Sequence, residues 1–175
     1  DELGTPASNN HYNTGWAWCF DTPFPYWKRW AGYEGGTADM LMISWPERVT
    51  ASDQVRQQYV HAVDVVPTIY DLLGIDQPNE VGGRTQIPIE GESFAPALTD
   101  PSVPGKRTQF YAMLGQRAIY HDGWLACTVH PPLSGWGNFE KDVWQLFHLE
   151  SDRAQAHDVA ADHPDVLEKL KGLWF

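Results

Sequence analysis

Ala118-Ile119-Tyr120-His121-Asp122-Gly123-Trp124-Leu125-Ala126-Cys127-Thr128-Val129 is the stretch on which the reading of the fold turns. Asp122-Gly123 is a strong signal for a two-residue hairpin turn. The flanking runs, Ala118 to His121 and Trp124 to Val129, are apolar and aromatic enough to read as short strands. Gln109 to Met113 upstream and Trp144 to His148 downstream have the same character. Consecutive strands at such short spacing predict an antiparallel meander. A terminal helix is predicted from Asp162 to Leu173. Asp162 offers a cap, Pro164 suits the first turn, Asp165 and Glu168 lie early, and Lys169 and Lys171 lie late, matching the helix dipole. Val166, Leu167, Leu170 and Trp174 mark its buried stripe.

The chain before this sheet has a different character. Met40-Leu41-Met42-Ile43-Ser44-Trp45, ended by Pro46, predicts a strand buried on both faces. Residues Glu47 to Gln58 are polar and read as surface. A helix is predicted from about Asp64 to Leu73. Asp64 can cap it, Pro67 suits its first turn, Gly74 suits the position past its end, and Val65, Val66, Ile69, Leu72 and Leu73 give one apolar face. Ile75 to Gly91 reads as loop, and Ser93 to Leu98 as a short helix. Asp1 to Tyr33 is rich in aromatics, Asn, Thr and Pro with neither period sustained, and predicts an ordered loop. Glu34-Gly35-Gly36-Thr37 follows it; the glycines permit a tight turn, a close approach or an anion cradle of backbone N–H groups. The shift in character near 100–107 predicts a boundary, with one domain over 1–100 and another over 101–175. The first belongs to an α/β arrangement. A single buried strand needs neighbours, and both chain ends read as cut from a longer protein.

Composition excludes several functions. The 175 residues carry 12 Lys+Arg against 23 Asp+Glu, a net charge of −11. That acidity argues against a nucleic-acid partner, which needs clustered cations. No stretch approaches the ~18 consecutive apolar residues of a membrane span. Cys19 and Cys127 are too few for a disulfide scaffold or zinc knuckle, and read either as one bridge or as free thiols. His61 and Asp64 share a spacing open to metal ligation or to capping. The remaining histidines lie at no ligand spacing. The 9 Trp are heavy for this length and can fill a core or line a cleft.

Five segments, in order, resemble the type I sulfatases of the alkaline-phosphatase superfamily. Lys28-Arg29-Trp30-Ala31-Gly32-Tyr33-Glu34-Gly35-Gly36-Thr37, with Ser44-Trp45-Pro46 after it, is similar to the family's K…xGGxR…P segment. His61-Ala62-Val63-Asp64-Val65-Val66-Pro67-Thr68-Ile69 is similar to its H-x-V-D-I-x-P-T helix. Ile89-Glu90-Gly91-Glu92-Ser93-Phe94 resembles its x-G-x-S-L turn. Trp144 to Arg153 and Asp158 to Pro164 resemble its L-Y-D-L-x-x-D-P…N-L-A…P ending. The tract from Tyr12 and His130-Pro131-Pro132 resemble a bacterial arylsulfatase-like subgroup. That resemblance points to a bacterial cytoplasm or periplasm without choosing between them.

The resemblance implies the end of a sulfatase α/β catalytic domain, followed by a small antiparallel sheet with one packed helix. It implies hydrolysis of a small-molecule sulfate monoester by a formylglycine nucleophile with a divalent cation, Ca²⁺ foremost. The formylglycine arises from Cys in a C-x-P-S-R type motif, which neither Cys19-Phe20-Asp21-Thr22 nor Cys127-Thr128-Val129-His130 fits. Nucleophile and cation ligands are expected upstream of Asp1, and this chain alone is expected to be inactive. The family's sulfate-contacting lysine matches Lys28, with Arg29 as rival. Trp27 and Trp30 beside them could form a substrate wall or simple packing, and His130 a pocket rim. Two other functions stay open: a phosphodiesterase or phosphonate hydrolase of the same superfamily, and a non-catalytic glycan-binding module.

Overall fold

The computed structural model describes residues 2, 4–8, 11–49, 55–131 and 136–175. Pro132 and residues 50–54 of the polar stretch lie outside the described residues. In chain order the elements are α1 (Thr14–Asp21), α2 (Glu34–Thr37), α3 (Val65–Leu73), β1 (Glu80–Val81), β2 (Arg84–Thr85), β3 (Thr108–Met113), β4 (Gln116–His121), β5 (Trp124–Thr128), β6 (Trp144–His148) and α4 (Pro164–Trp174). The chain packs as two compact units, 1–40 with 110–175, and 41–109.

The first unit is built on the expected meander, with strand order β3-β4-β5-β6. Asp122 (φ 47°) and Gly123 (φ 83°) make the hairpin turn, and His121 pairs with Trp124 beside it. Successive side chains on a strand point to opposite faces. Ala118, Leu125, Cys127 and Phe147 therefore share one face, where Tyr33 packs on them. Ile119, Ala126 and Leu146 share the other, where Leu170 of α4 packs. Both faces are covered, which is why β5 reads as a nearly continuous apolar run rather than an alternating one. Full burial of each large side chain here contributes about 1.5–3 kcal/mol.

This covering groups the first 40 residues with the sheet. The physical reason is that the aromatic tract lies on the sheet face opposite α4. Within that tract the expected loop also contains α1, capped by Asn13, whose Oδ1 accepts a hydrogen bond from Gly15 N at 2.8 Å. No residue of α1 is buried, so its sequence carries no apolar stripe by which to detect it. At the other end of the unit, the cap of α4 falls one residue later than expected. His163, not Asp162, occupies the cap position, with Pro164 opening the first turn.

The second unit holds α3, ended as expected by Gly74 in the left-handed region (φ 64°). Its apolar face is only half covered: Val66, Ile69 and Leu73 are exposed by 46%, 48% and 57%. Asp64 does not cap α3 through its side chain. It closes the preceding 3-10 turn, Ala62–Asp64, by accepting from His61 N at 2.8 Å, while His61 Nδ1 accepts from Val63 N. The expected strand Met40–Trp45 has no regular secondary structure, and Met40 and Met42 are largely exposed. A strand exists only when paired, and among the described residues this run has no ladder partner. Part of the expected loop 75–91 is a small hairpin, β1 with β2, turned by Gly82 and Gly83 at φ 58° and 77°. Residues Ala95–Leu98 form a 3-10 turn.

Candidate functional site

Lys28 and Arg29 lie together on an exposed loop of the first unit, flanked by half-buried Trp27 and Trp30. The loop rests on aromatic packing. The Tyr26 ring stacks on Trp30 with centroids 4.1 Å apart, lies 4.6 Å from Tyr33, and Trp27 meets Trp18 at 5.5 Å. Trp27 and Trp30 thus serve at least as foundation. Two non-glycine residues here have positive φ, Tyr26 at 66° and Arg29 at 85°. Such conformations cost about 1–3 kcal/mol each and persist only where the surroundings impose them.

The impositions come from three directions. The Gly35-Gly36 pair sits at a close approach of backbone to backbone. A Cβ on Gly36 would lie 2.3 Å from the Trp30 carbonyl oxygen, and one on Gly35 would lie 2.5 Å from those of Pro25 and Tyr26. Close approach, rather than positive φ or an anion cradle, is what these glycines serve. Second, Gln116 Nε2 donates to the Arg29 carbonyl at 2.9 Å. Third, Gln155 Nε2 donates to the Gly32 carbonyl at 2.9 Å, and its Oε1 accepts from Glu34 N at 2.7 Å. The buried Glu34 carboxylate in turn accepts from Arg153 Nε at 3.1 Å. Tyr33 donates its hydroxyl to Gln145 Oε1.

His130 lies elsewhere in the unit, 1% exposed. Its Nδ1 is 2.9 Å and 3.0 Å from the two Asp142 oxygens, its Nε2 is 3.1 Å from the Trp136 carbonyl, and its ring stacks on Phe139 at 4.1 Å. Both ring nitrogens face acceptors, so the geometry suits the imidazolium. The Asp142 hydrogen bond holds His130 above its ordinary pKa against the opposing effect of burial. Arg117 completes the cluster, donating from Nη2 to Asp142 at 2.9 Å. An open cleft of about 610 Å³ adjoins it, lined by Pro131, Lys141, Asp142, Gln145 and Asp158 among others. The structure brings Lys28, Arg29, Trp27 and Trp30 together and places His130 in the cluster with Asp142 and Arg117, whose buried Nε has no hydrogen-bond partner among the described residues.

The cysteines are free, Cys19 exposed and Cys127 buried. Burial, reinforced by Asp158, pushes the Cys127 thiol up, so it holds its proton. Among the described residues, no group of three His, Cys, Asp or Glu side chains could hold a metal ion. His61 and Asp64, the metal-or-cap pair, are hydrogen-bonded to the 3-10 turn. Burial of the His61 ring lowers its pKa. For Asp64, burial opposes ionisation, yet Lys106 and the amides of Glu92 and His61 hold its carboxyl below the usual range. No helix of the described residues is long and apolar enough to cross a membrane.

Residue spacing did not reveal Gln116, Gln155, Arg117 or Asp142. The one available signal was a polar Gln116-Arg117 pair opening an apolar strand.

An antiparallel sheet carrying a terminal helix, with a basic loop laid over its other face, is a fold similar to part of solved sulfatase structures, and sequence relatives point the same way. The chain is 27% identical to an uncharacterized sulfatase of Schizosaccharomyces pombe over 99% of its length, covering 30% of that relative. It is 39% identical to human N-sulphoglucosamine sulphohydrolase over 67 residues, 38% of this chain and 13% of the enzyme. Among solved structures it matches a 6S-sulfatase structure from the Bacteroides thetaiotaomicron system for metabolism of multiple glycosaminoglycans. That match has a TM-score of 0.61 at 19% identity, over 82% of this chain and 30% of that one. No family model matches. The chain is similar to sulfatases throughout its length, as a match to a C-terminal sulfatase portion spanning less than a third of its relatives.

Proposed function

We propose that this chain is the part of a sulfuric ester hydrolase that supplies the sulfate-contacting cation, Lys28, and a wall of the substrate pocket. The substrate class is a small sulfate monoester, of which aryl sulfates are the simplest probes. What supports the reading most directly is the Lys28–Arg29 loop: two adjacent cations, exposed, on a strained backbone held by buried packing. An ammonium is a compact charge that can meet a sulfate oxygen as negative charge moves onto the leaving oxygen. Arg29 would offer a planar fork instead. The nucleophile and cation ligands expected for the reaction belong to other parts of the polypeptide.

The test uses the full-length polypeptide carrying these residues. Its turnover of an aryl sulfate is compared with that of phosphate mono- and diesters, and Lys28→Ala is compared with Arg29→Ala. Sulfate ester turnover is expected to dominate. Lys28→Ala should lower kcat/KM by a factor on the order of 10² or more. Preferential phosphodiester turnover would move the chain to another branch of the superfamily. Wild-type activity in Lys28→Ala with loss in Arg29→Ala would transfer the role to Arg29.

A further inference from the structure

We propose that Gln116 and Gln155 are positioning residues, which set the place of the sulfate-contacting cation by holding the backbone of its loop. The proposal rests on the reading of the Lys28–Arg29 loop given above. Gln116 opens β4 and is 1% exposed; Gln155 follows β6 and is 6% exposed. Gln116 Nε2 donates to the carbonyl of Arg29, the residue at φ 85°. Gln155 spans two residues of the loop's far end, donating to Gly32 O and accepting from Glu34 N. A primary amide offers both roles from one plane, as a neighbouring strand would. Together the two side chains pin the segment at Arg29, Gly32 and Glu34, directly after Lys28.

A purely structural account of Gln116 meets a difficulty. Its Oε1 is buried and has no hydrogen-bond partner among the described residues. An unsatisfied buried carbonyl is costly, and an apolar side chain on this inner face would avoid that cost. The amide is explained by what its other end does, which is to hold the Arg29 carbonyl where the backbone turns. Misplacing a catalytic group by about 1 Å can lower a rate about 100-fold, so partial loosening of the loop should lower kcat measurably.

The experiment uses the full-length polypeptide and an aryl sulfate. Gln116→Met and Gln155→Met are made singly, and each is combined with substitution to Ala of whichever of Lys28 and Arg29 proves to carry the rate. Each Met variant is expected to lower kcat about 10-fold with KM within about twofold, because the cation acts mainly as charge develops. In the Ala background the same Met substitutions should cost nothing further, since nothing remains to be positioned. If either Met variant fails to fold, Gln116→Asn or Gln155→Asn replaces it. Each keeps the amide and draws it back by one methylene from the loop carbonyl, and the same coupling is expected. Additive losses, or losses confined to thermal stability with kcat unchanged, overturn the proposal while leaving the cation's role intact. Wild-type rates in both Lys28→Ala and Arg29→Ala overturn the cation reading, and this proposal with it.

Discussion

Asp142 holds the buried Arg117 and His130 side chains together, and removing it should destabilise the first unit heavily. Its side chain is 3% exposed, that of Arg117 10%, and the two are 2.9 Å apart. Deleting one partner of a buried ion pair leaves the other uncompensated and costs about 3–5 kcal/mol. Arg117 keeps some support, because its guanidinium lies 5.2–5.8 Å from the ring centroids of Phe139, Trp144, Trp174 and Phe175. Asp142→Ala should therefore fall near the lower end, about 3 kcal/mol. Arg117→Met is the control. It leaves Asp142 paired with His130 and puts an apolar chain among the rings, so its cost should be about that of a lost charged hydrogen bond, about 1.5–3 kcal/mol. The assay is urea unfolding followed by tryptophan fluorescence, since Trp144 and Trp174 border the cluster. With a slope of about 1–3 kcal/mol per molar, 3 kcal/mol moves the midpoint by about 1–3 M. An Asp142→Ala loss below about 1 kcal/mol, or a larger loss in Arg117→Met, would refute the reasoning.

His130 makes that stability depend on pH. Its folded pKa is raised above the ordinary 6.5, so its contribution is whole below that value and is lost as pH rises through the folded pKa. Urea midpoints taken from pH 5 upward should fall accordingly, and His130→Gln should remove that fall. Asp64 runs the other way in the second unit. Its folded pKa lies below the ordinary 3.8, so its contribution is whole above that and is lost as pH falls through the folded value. Acid titration by circular dichroism should show the loss, and Asp64→Asn should be less stable at neutral pH and less acid-sensitive. Gly36→Ala would set a Cβ 2.3 Å from Trp30 O and 2.8 Å from Trp27 O, both backbone atoms. It should cost about 1–3 kcal/mol in a thermal melt and, in the full-length polypeptide, lower sulfate ester turnover by displacing the Lys28 loop.

The sheet was legible because its signals are local. A two-residue turn sits between runs of the right length, and no distant partner is needed to recognise either. The α3 end was legible for the same reason, since Gly74 can take the left-handed conformation wherever the helix packs. What stayed hidden depends on partners distant in sequence. Met40–Trp45 has the composition of a strand, yet composition cannot supply the neighbour that makes one. α1 has no buried face to print a period on. Asp64 caps the 3-10 turn and is also a junction, accepting from His61 N, from Glu92 N, 28 residues away, and from Lys106 Nζ, 42 residues away. The site split in the same way. Lys28 and Arg29 were found through resemblance, whereas Gln116 and Gln155 lie 87 and 123 residues from the loop atoms they hold.

The hairpin turn governs more than the sheet. Gln116 and Arg117 are neighbours on β4, and the pleat sends them to opposite faces: Gln116 toward the Arg29 carbonyl, Arg117 toward Asp142 and the α4 aromatics. Each therefore has one task only while the register of β4 holds. That register is set where His121 meets Trp124 across Asp122-Gly123, and it carries through to Arg117 opposite Thr128. A slip of one residue would turn the guanidinium under the Lys28 loop and the amide into the His130 cluster. The loop's backbone would then face a cation in place of its amide donor, and Asp142 would lose its charged partner. Ile119, Ala126 and Leu146 oppose such a slip, because it would exchange them with the residues packed against Tyr33. The apolar rows on the two faces thus protect the placement of two polar side chains at the strand's open end. The position of the Lys28 loop is in this sense specified by the far end of a hairpin, where Gln116 lies six residues before Asp122 of the turn.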